Sequence, residues 1–236
     1  MVSSGRELAD VEQAGAAGRQ FDLSGGALCL DFANTLDDRP NPRPNEYLQS
    51  YPDLLAFAHQ AGALSEAPLA RLVATSARQP ATSAAALDRA LALREAIYRI
   101  FLALADDDPV PPADLAELNR ALAEALARAR IAEAHRDEAD GVERSAGRFA
   151  WAWADAPLSL EMPLWPVARS AAQLLTSSDL SALRVCASET CAWLFLDTSR
   201  NGSRRWCSMR TCGNRAKARR HHARVRAAGA ARTTDR

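Results

Sequence analysis

The chain has 236 residues, 48% hydrophobic and 25% charged, a balance that suits one globular domain of moderate size plus a small appendage. No apolar run approaches the ~20 residues that cross a bilayer, and the first twenty residues lack the apolar stretch of a secretory signal; a membrane partner is excluded and a cytoplasmic protein is expected. The formal net charge of zero hides a split: residues 181–236 carry 13 Lys+Arg against 3 Asp+Glu, and residues 1–180 carry 16 against 26. A basic end on an acidic body suggests a segment made for a polyanion, the competing reading being a solvated tail that packs on its own acidic body.

Residues 1–20 are polar and rich in Gly and Ala, and are expected to be disordered. Ala27–Phe32 is a short apolar run interrupted by Asp31, readable as a strand or as the start of a buried helix. Pro40–Pro44 holds three prolines in five residues and reads as a loop. Helices then dominate. One is expected over Pro52–Gly62, and another begins after Ser65 as N-cap. The longest, Thr82 to about Ala105, aligns Leu87, Leu91, Ile97, Phe101 and Leu104 on one face. A further helix over Ala113–Ala134 aligns Leu115, Leu118, Leu122 and Leu126. After a polar Asp137–Arg144 loop, Arg148–Ala154 alternates large and small residues and reads as one or two strands. Pro163–Thr176 returns to helix. The expected class is mainly α with a minor β element: a helical domain over 21–180, a four-cysteine module over 181–228 and a disordered tail over 229–236.

Four of the five cysteines form the pattern C-x4-C-x15-C-x4-C: Cys186, Cys191, Cys207 and Cys212. Two ligand pairs, each close in sequence, make two knuckles that clasp one tetrahedral zinc ion, and an all-thiolate set leaves no open position for catalysis. Two disulfides are the alternative, disfavoured without a secretion signal. The connecting segment reads as a hairpin: Trp193–Asp197 as a strand, Asn201-Gly202 as the turn, Ser203–Trp206 as the returning strand. Cys29 stands apart as a buried small hydrophobe.

Beyond Cys212 a basic helix is expected over Asn214–Ala228, with Asn214 as its cap. Arg215, Lys217, Arg219, Arg220 and Arg224 fall on adjoining faces. Such a density of like charge weakens a helix in isolation and suits a phosphate backbone, with the helix in a major groove. Arg204 and Arg205 extend the patch as phosphate contacts. Trp193 and Trp206 are expected beneath the zinc site, with base stacking as the other reading. His221 and His222 read as surface residues.

Cys212-Gly-Asn-Arg215, preceded by Arg184-Val-Cys-Ala and by Cys191-Ala-Trp-Leu-Phe-Leu-Asp-Thr-Ser-Arg-Asn, resembles the CGNR zinc-finger family from about Leu183 to Arg224. The resemblance implies that the four cysteines are the zinc ligands. Leu30-Asp-Phe-Ala-Asn-Thr and Leu93-Arg-Glu-Ala-Ile resemble the ABATE domain that precedes this finger in bacterial proteins described as stress-induced transcription regulators.

A bacterial DNA-binding transcription regulator is therefore expected, its finger on duplex DNA and its N-terminal domain sensing an effector, dimerising, or both. An RNA- or protein-binding adaptor is the alternative. Asp31 and Asn34 are candidates to line an effector pocket, their other reading being local caps. No enzyme is expected: residues 21–180 show no Gly-rich phosphate loop, nucleophile motif or metal cluster, and their histidines are His59 and His135.

Overall fold

The computed structural model describes residues 20–133, 149–154, 157–220 and 222. The expected disordered start, the Asp137–Arg144 loop, His135, His221, Arg224 and the tail over 229–236 lie outside the described residues, as does most of the basic helix beyond Arg220.

Helix α1 (Leu28–Ala33) settles the ambiguity of the first apolar run: its Cys29, Leu30, Phe32 and Ala33 are buried. Strands β1 (Leu36–Asp37) and β2 (Asn45–Glu46) pair antiparallel around the proline loop. Helix α2 (Tyr51–Gln60) starts in a reciprocal cap: Ser50 Oγ accepts the Asp53 N–H at 3.4 Å and donates to Asp53 Oδ2 at 2.7 Å. Gly62, at φ +69°, reverses the chain after it. Ser65 holds the N-cap position of α3 (Glu66–Arg78), although its hydroxyl makes no capping bond.

Helix α4 (Pro80–Ala105) is the spine. Ala86, Ala90, Leu93, Ile97, Ile100 and Phe101 are buried along it, in steps of three and four residues. It packs on α1, α2, α3 and α5 (Pro112–Arg128). Leu87, Leu91 and Leu104 only border this core.

Two expectations for the next segment are corrected. The helix ends at Arg128, not Ala134, because Ala129–Glu133 is strand β3, paired in antiparallel register with β4 (Phe149–Trp153). Tertiary pairing overrides helix propensity here. The buried stripe of α5 runs through Leu118, Ala121 and Ala125, while Leu115 and Leu126 are 40% and 52% exposed. Small residues on that stripe admit the bulk of α6 (Leu164–Leu175), whose Leu164 and Trp165 are buried.

A 3-10 turn (Ser178–Ala182) leads into β5 (Leu183–Val185), which pairs antiparallel with β6 (Leu194–Leu196). This corrects the predicted hairpin: β6 returns onto residues before the first knuckle, and 203–206 form no strand. Ring and loop contacts from Asp197 and Arg204 organise that segment instead. All three residues of β6 are buried. Successive side chains of a strand point to opposite faces: Leu194 and Leu196 join the main core with Leu183, and Phe195 joins the cysteine cluster.

Candidate metal centre and nucleic-acid interface

The first knuckle is shaped by the Cys186 N–H bond to Trp193 O (2.8 Å) and the Cys191 N–H bond to Ser188 O (3.1 Å). The second is a π-turn over Met209–Gly213, which holds Cys212. All four cysteines are buried and unpaired by disulfides, and their sulfurs lie within 4.8 Å of one another. Cys191 Sγ and Cys207 Sγ are 3.6 Å apart, and Cys207 Sγ and Cys212 Sγ 3.7 Å. A disulfide requires ~2.05 Å, whereas sulfurs ~2.3 Å from a common tetrahedral centre are separated by about 3.8 Å. The donor set fits one structural zinc ion. Cys191 and Cys207 hold the Cys186 thiol below its usual range by donating to its sulfur, and the same contacts hold their own thiols above theirs. Trp193 and Phe195 seal the cluster, as expected for Trp193, while Trp206 is half-buried at its edge.

The segment between the knuckles is folded by two side chains. The Asp197 carboxylate accepts from Ser199 N (2.9 Å), Ser199 Oγ (2.6 Å) and Arg204 N (2.8 Å), and these bonds, Ser199 first, lower its pKa. Arg204 is turned inward. Its guanidinium lies 4.5 Å from the Phe195 ring centroid and donates to the carbonyls of Trp206 (3.0 Å), Ser24 (3.3 Å) and Cys207. It clasps backbone of the knuckle, in place of the expected phosphate contact.

The basic helix, α7, is described over 214–220. It continues directly from the π-turn: Asn214 is already helical, and its side chain donates to Arg210 O at 3.1 Å, so it is not the predicted N-cap. Arg215, Lys217, Arg219 and Arg220 are exposed, as is Arg205. Arg215 also reaches back to Cys212 Sγ at 3.7 Å, a position that steadies a metal thiolate. Arg205 and Arg220 flank Trp206, 5.7 and 5.9 Å from its ring. With Arg219, Ala187 and Glu189 they line an open groove of about 360 Å³. These five cations sit on one module, four of them on the helix that follows the last zinc ligand.

Asp31 and Asn34 both bond to main-chain groups. Asp31 Oδ1 accepts the Gly25 N–H at 2.7 Å; burial pushes its carboxyl up to about 7, against that bond. Asn34, 2% exposed, exchanges two bonds with the main chain of Leu194. Cys29 is wholly buried, with its thiol pushed up to about 12 by that burial, an inert core group as expected.

Sequence reasoning misses a partly buried ionic chain. Arg94, 3% exposed, makes a bidentate pair with Glu46 (2.6 and 2.7 Å) and bonds Glu95 (2.9 Å). Glu95 in turn binds Arg39 at 2.8 Å. Arg39 stacks 3.6 Å from the Tyr98 centroid, and Tyr98 Oη donates to Ala192 O of the first knuckle at 3.0 Å. A charge next to Leu93 within the apolar stripe of α4 is the one signal of it in the sequence.

A family model described as "Putative stress-induced transcription regulator", ABATE, matches residues 26–178. A second, the CGNR zinc finger, matches residues 182–225. No curated protein matches the chain. Among the described residues no helix is long and apolar enough to cross a membrane.

Proposed function

Because the chain belongs to the ABATE family and ends in a CGNR zinc finger, we propose that it is a bacterial, cytoplasmic, DNA-binding transcription regulator. It reads duplex DNA with the zinc module and senses a ligand or dimerises through the helical domain. The observation that carries this is the exposed set Arg215, Lys217, Arg219 and Arg220 on a helix anchored at Cys212. A rigid metal knuckle fixes the start of that helix, and its cations lie where phosphates are met. Arg205 adds a contact from the facing loop, and Arg224 extends the series along the sequence. Arg204 takes no part, being committed to carbonyls. No catalytic step is assigned to the chain.

A second reading has its own support. Trp206 between Arg205 and Arg220 is the pairing of an aromatic face with guanidinium planes that binds unstacked bases; an RNA-binding or protein-binding adaptor would use it. The test is competition. Zinc-loaded protein is offered a library of labelled genomic duplexes with single-stranded RNA as competitor, at physiological salt. Enrichment of particular duplexes supports the regulator. Equal binding of all duplexes, displaced by RNA, supports the adaptor.

A further inference from the structure

In the helical domain a cavity of about 650 Å³ opens between α6, β4 and the loop that joins α2 to α3. Its size falls within the range of small-molecule sites. Leu28, Leu64 and Met162 make apolar walls, and Trp151 and Trp153 of β4 cover one side. Of the described residues that line it, Arg169 is the charged one, and none is acidic.

Arg169 is unusual in its setting. Its Nε is buried with no hydrogen-bond partner among the described residues, and its guanidinium lies 4.6 Å from the Trp151 centroid. The loss of solvent lowers its pKa. A buried donor without an acceptor is costly, and a guanidinium takes a carboxylate through parallel N–H bonds. A second feature has the same sign. Ser65 lines the cavity from the N-cap of the thirteen-residue α3, and its hydroxyl makes no capping bond. The start of that helix favours an anion, and Glu66 lies in the same first turn.

We propose that this cavity is the effector site of the helical domain and that it takes a small carboxylate carrying a flat apolar ring, the carboxylate on Arg169 and the ring against Trp151 and Trp153. A single guanidinium matches a monoanion, whereas a phosphate dianion calls for several cations or a nest of amides. The tryptophan walls match an aromatic body. The inference gives the sensing half of the proposed regulator its place and ligand class, and it rests on that reading only for its consequence at DNA.

The test is calorimetric titration of the full-length zinc-loaded chain with 2-naphthoate and indole-3-acetate, each beside its carboxamide. The carboxylates are expected to bind about tenfold or more tightly than the amides. Arg169→Met should erase that difference, and Trp151→Ala should weaken acid and amide alike, with circular dichroism confirming that both variants fold. No carboxylate binding at millimolar concentration, or equal binding of acid and amide, overturns the proposal. So does an Arg169→Met variant that binds as wild type does. Light scattering covers the rival occupant: Ile131 and Phe149, 62% and 56% exposed on the same face of the β3–β4 ribbon as Trp151, could pack on a second copy. A dimer that Trp151→Ala dissociates, with no carboxylate bound, overturns the proposal as well. DNA binding is measured separately. Loss of carboxylate binding with DNA binding intact counts against the pocket alone, and the reverse counts against the regulator alone.

Discussion

Asn34 and Leu194 are locked by reciprocal hydrogen bonds: Asn34 Nδ2 donates to Leu194 O at 2.9 Å, and Asn34 Oδ1 accepts the Leu194 N–H at 3.0 Å. One side chain therefore serves both main-chain groups of a residue 160 positions away. Leu194 lies in β6, the strand whose two faces belong to the helical core and to the cysteine cluster. Gly25 O accepts the Leu196 N–H at 2.8 Å beside it. The two family-matched segments are separate along the chain and share a core in space.

Asn34→Ala should be costly. It removes two buried bonds and leaves two main-chain groups of Leu194 unpaired, a loss of about 2–4 kcal/mol. Denaturant melts would read it as a lowered midpoint with unchanged slope. Unchanged stability would show that β6 is satisfied without the side chain.

Zinc removal should unfold more than the finger. Structural zinc contributes apparent free energies of about 10–16 kcal/mol in isolated fingers, and here the metal cluster backs a strand of the main core. After chelation, far-UV circular dichroism should show the helices melting in one transition at a much lower temperature. Helices that melt at the holo temperature would show the two parts to be independent.

Arg204 and Arg205 are neighbours with opposite fates. Arg204→Ala frees several carbonyls around Cys207 and should destabilise the zinc module by about 1–3 kcal/mol, seen as faster zinc loss to a chelator. Arg205→Ala touches an exposed cation and should leave zinc retention unchanged while weakening DNA binding. The reverse pattern would contradict the inward assignment of Arg204.

Asp31 gives a pH signature. Its unfolded pKa is near 3.8, and burial raises the folded value to about 7. The folded state binds the extra proton between those values, so this contribution is full below the lower one and is lost as pH rises through the upper. Asp31→Asn keeps an acceptor for Gly25 and removes the charge. It should raise stability by about 1–2 kcal/mol at pH 8, a figure discounted for partial solvent screening, and by nothing near pH 4. A gain that is equal at both pH values would contradict a buried, protonated Asp31.

Legibility in the sequence tracks the range of the interactions. The cysteine pairs are legible because both partners of each knuckle are close in sequence, and α2 announces itself through Pro52 and Gly62. The α1 ambiguity cannot be resolved from Ala27–Phe32, since a short apolar run suits either geometry. The end of α5 is hidden because Ala129–Glu133 is helix-prone in isolation and becomes strand only through Phe149–Trp153. The predicted return strand fails for a similar reason. Asn201-Gly202 does reverse the chain, with Gly202 at φ +57°, but Asp197 and Arg204 hold residues 203–206 as loop. Asn34 reads as a local cap or a ligand contact, and its true partner is a strand 160 residues on. Arg204 cannot be told from Arg205 by composition, since what separates them is the Phe195 ring and three carbonyls.

Duplex DNA binding by the zinc module is proposed to run through the exposed cations of α7. The direct measurement is fluorescence anisotropy of a selected duplex titrated with zinc-loaded wild type and with the Arg219→Ala/Arg220→Ala variant across a series of salt concentrations. The account predicts weaker binding by the variant and a log–log salt slope shallower by about 2, close to one unit per lost phosphate contact, with the melting temperature unchanged. Equal affinity and an equal slope for the two proteins would contradict it.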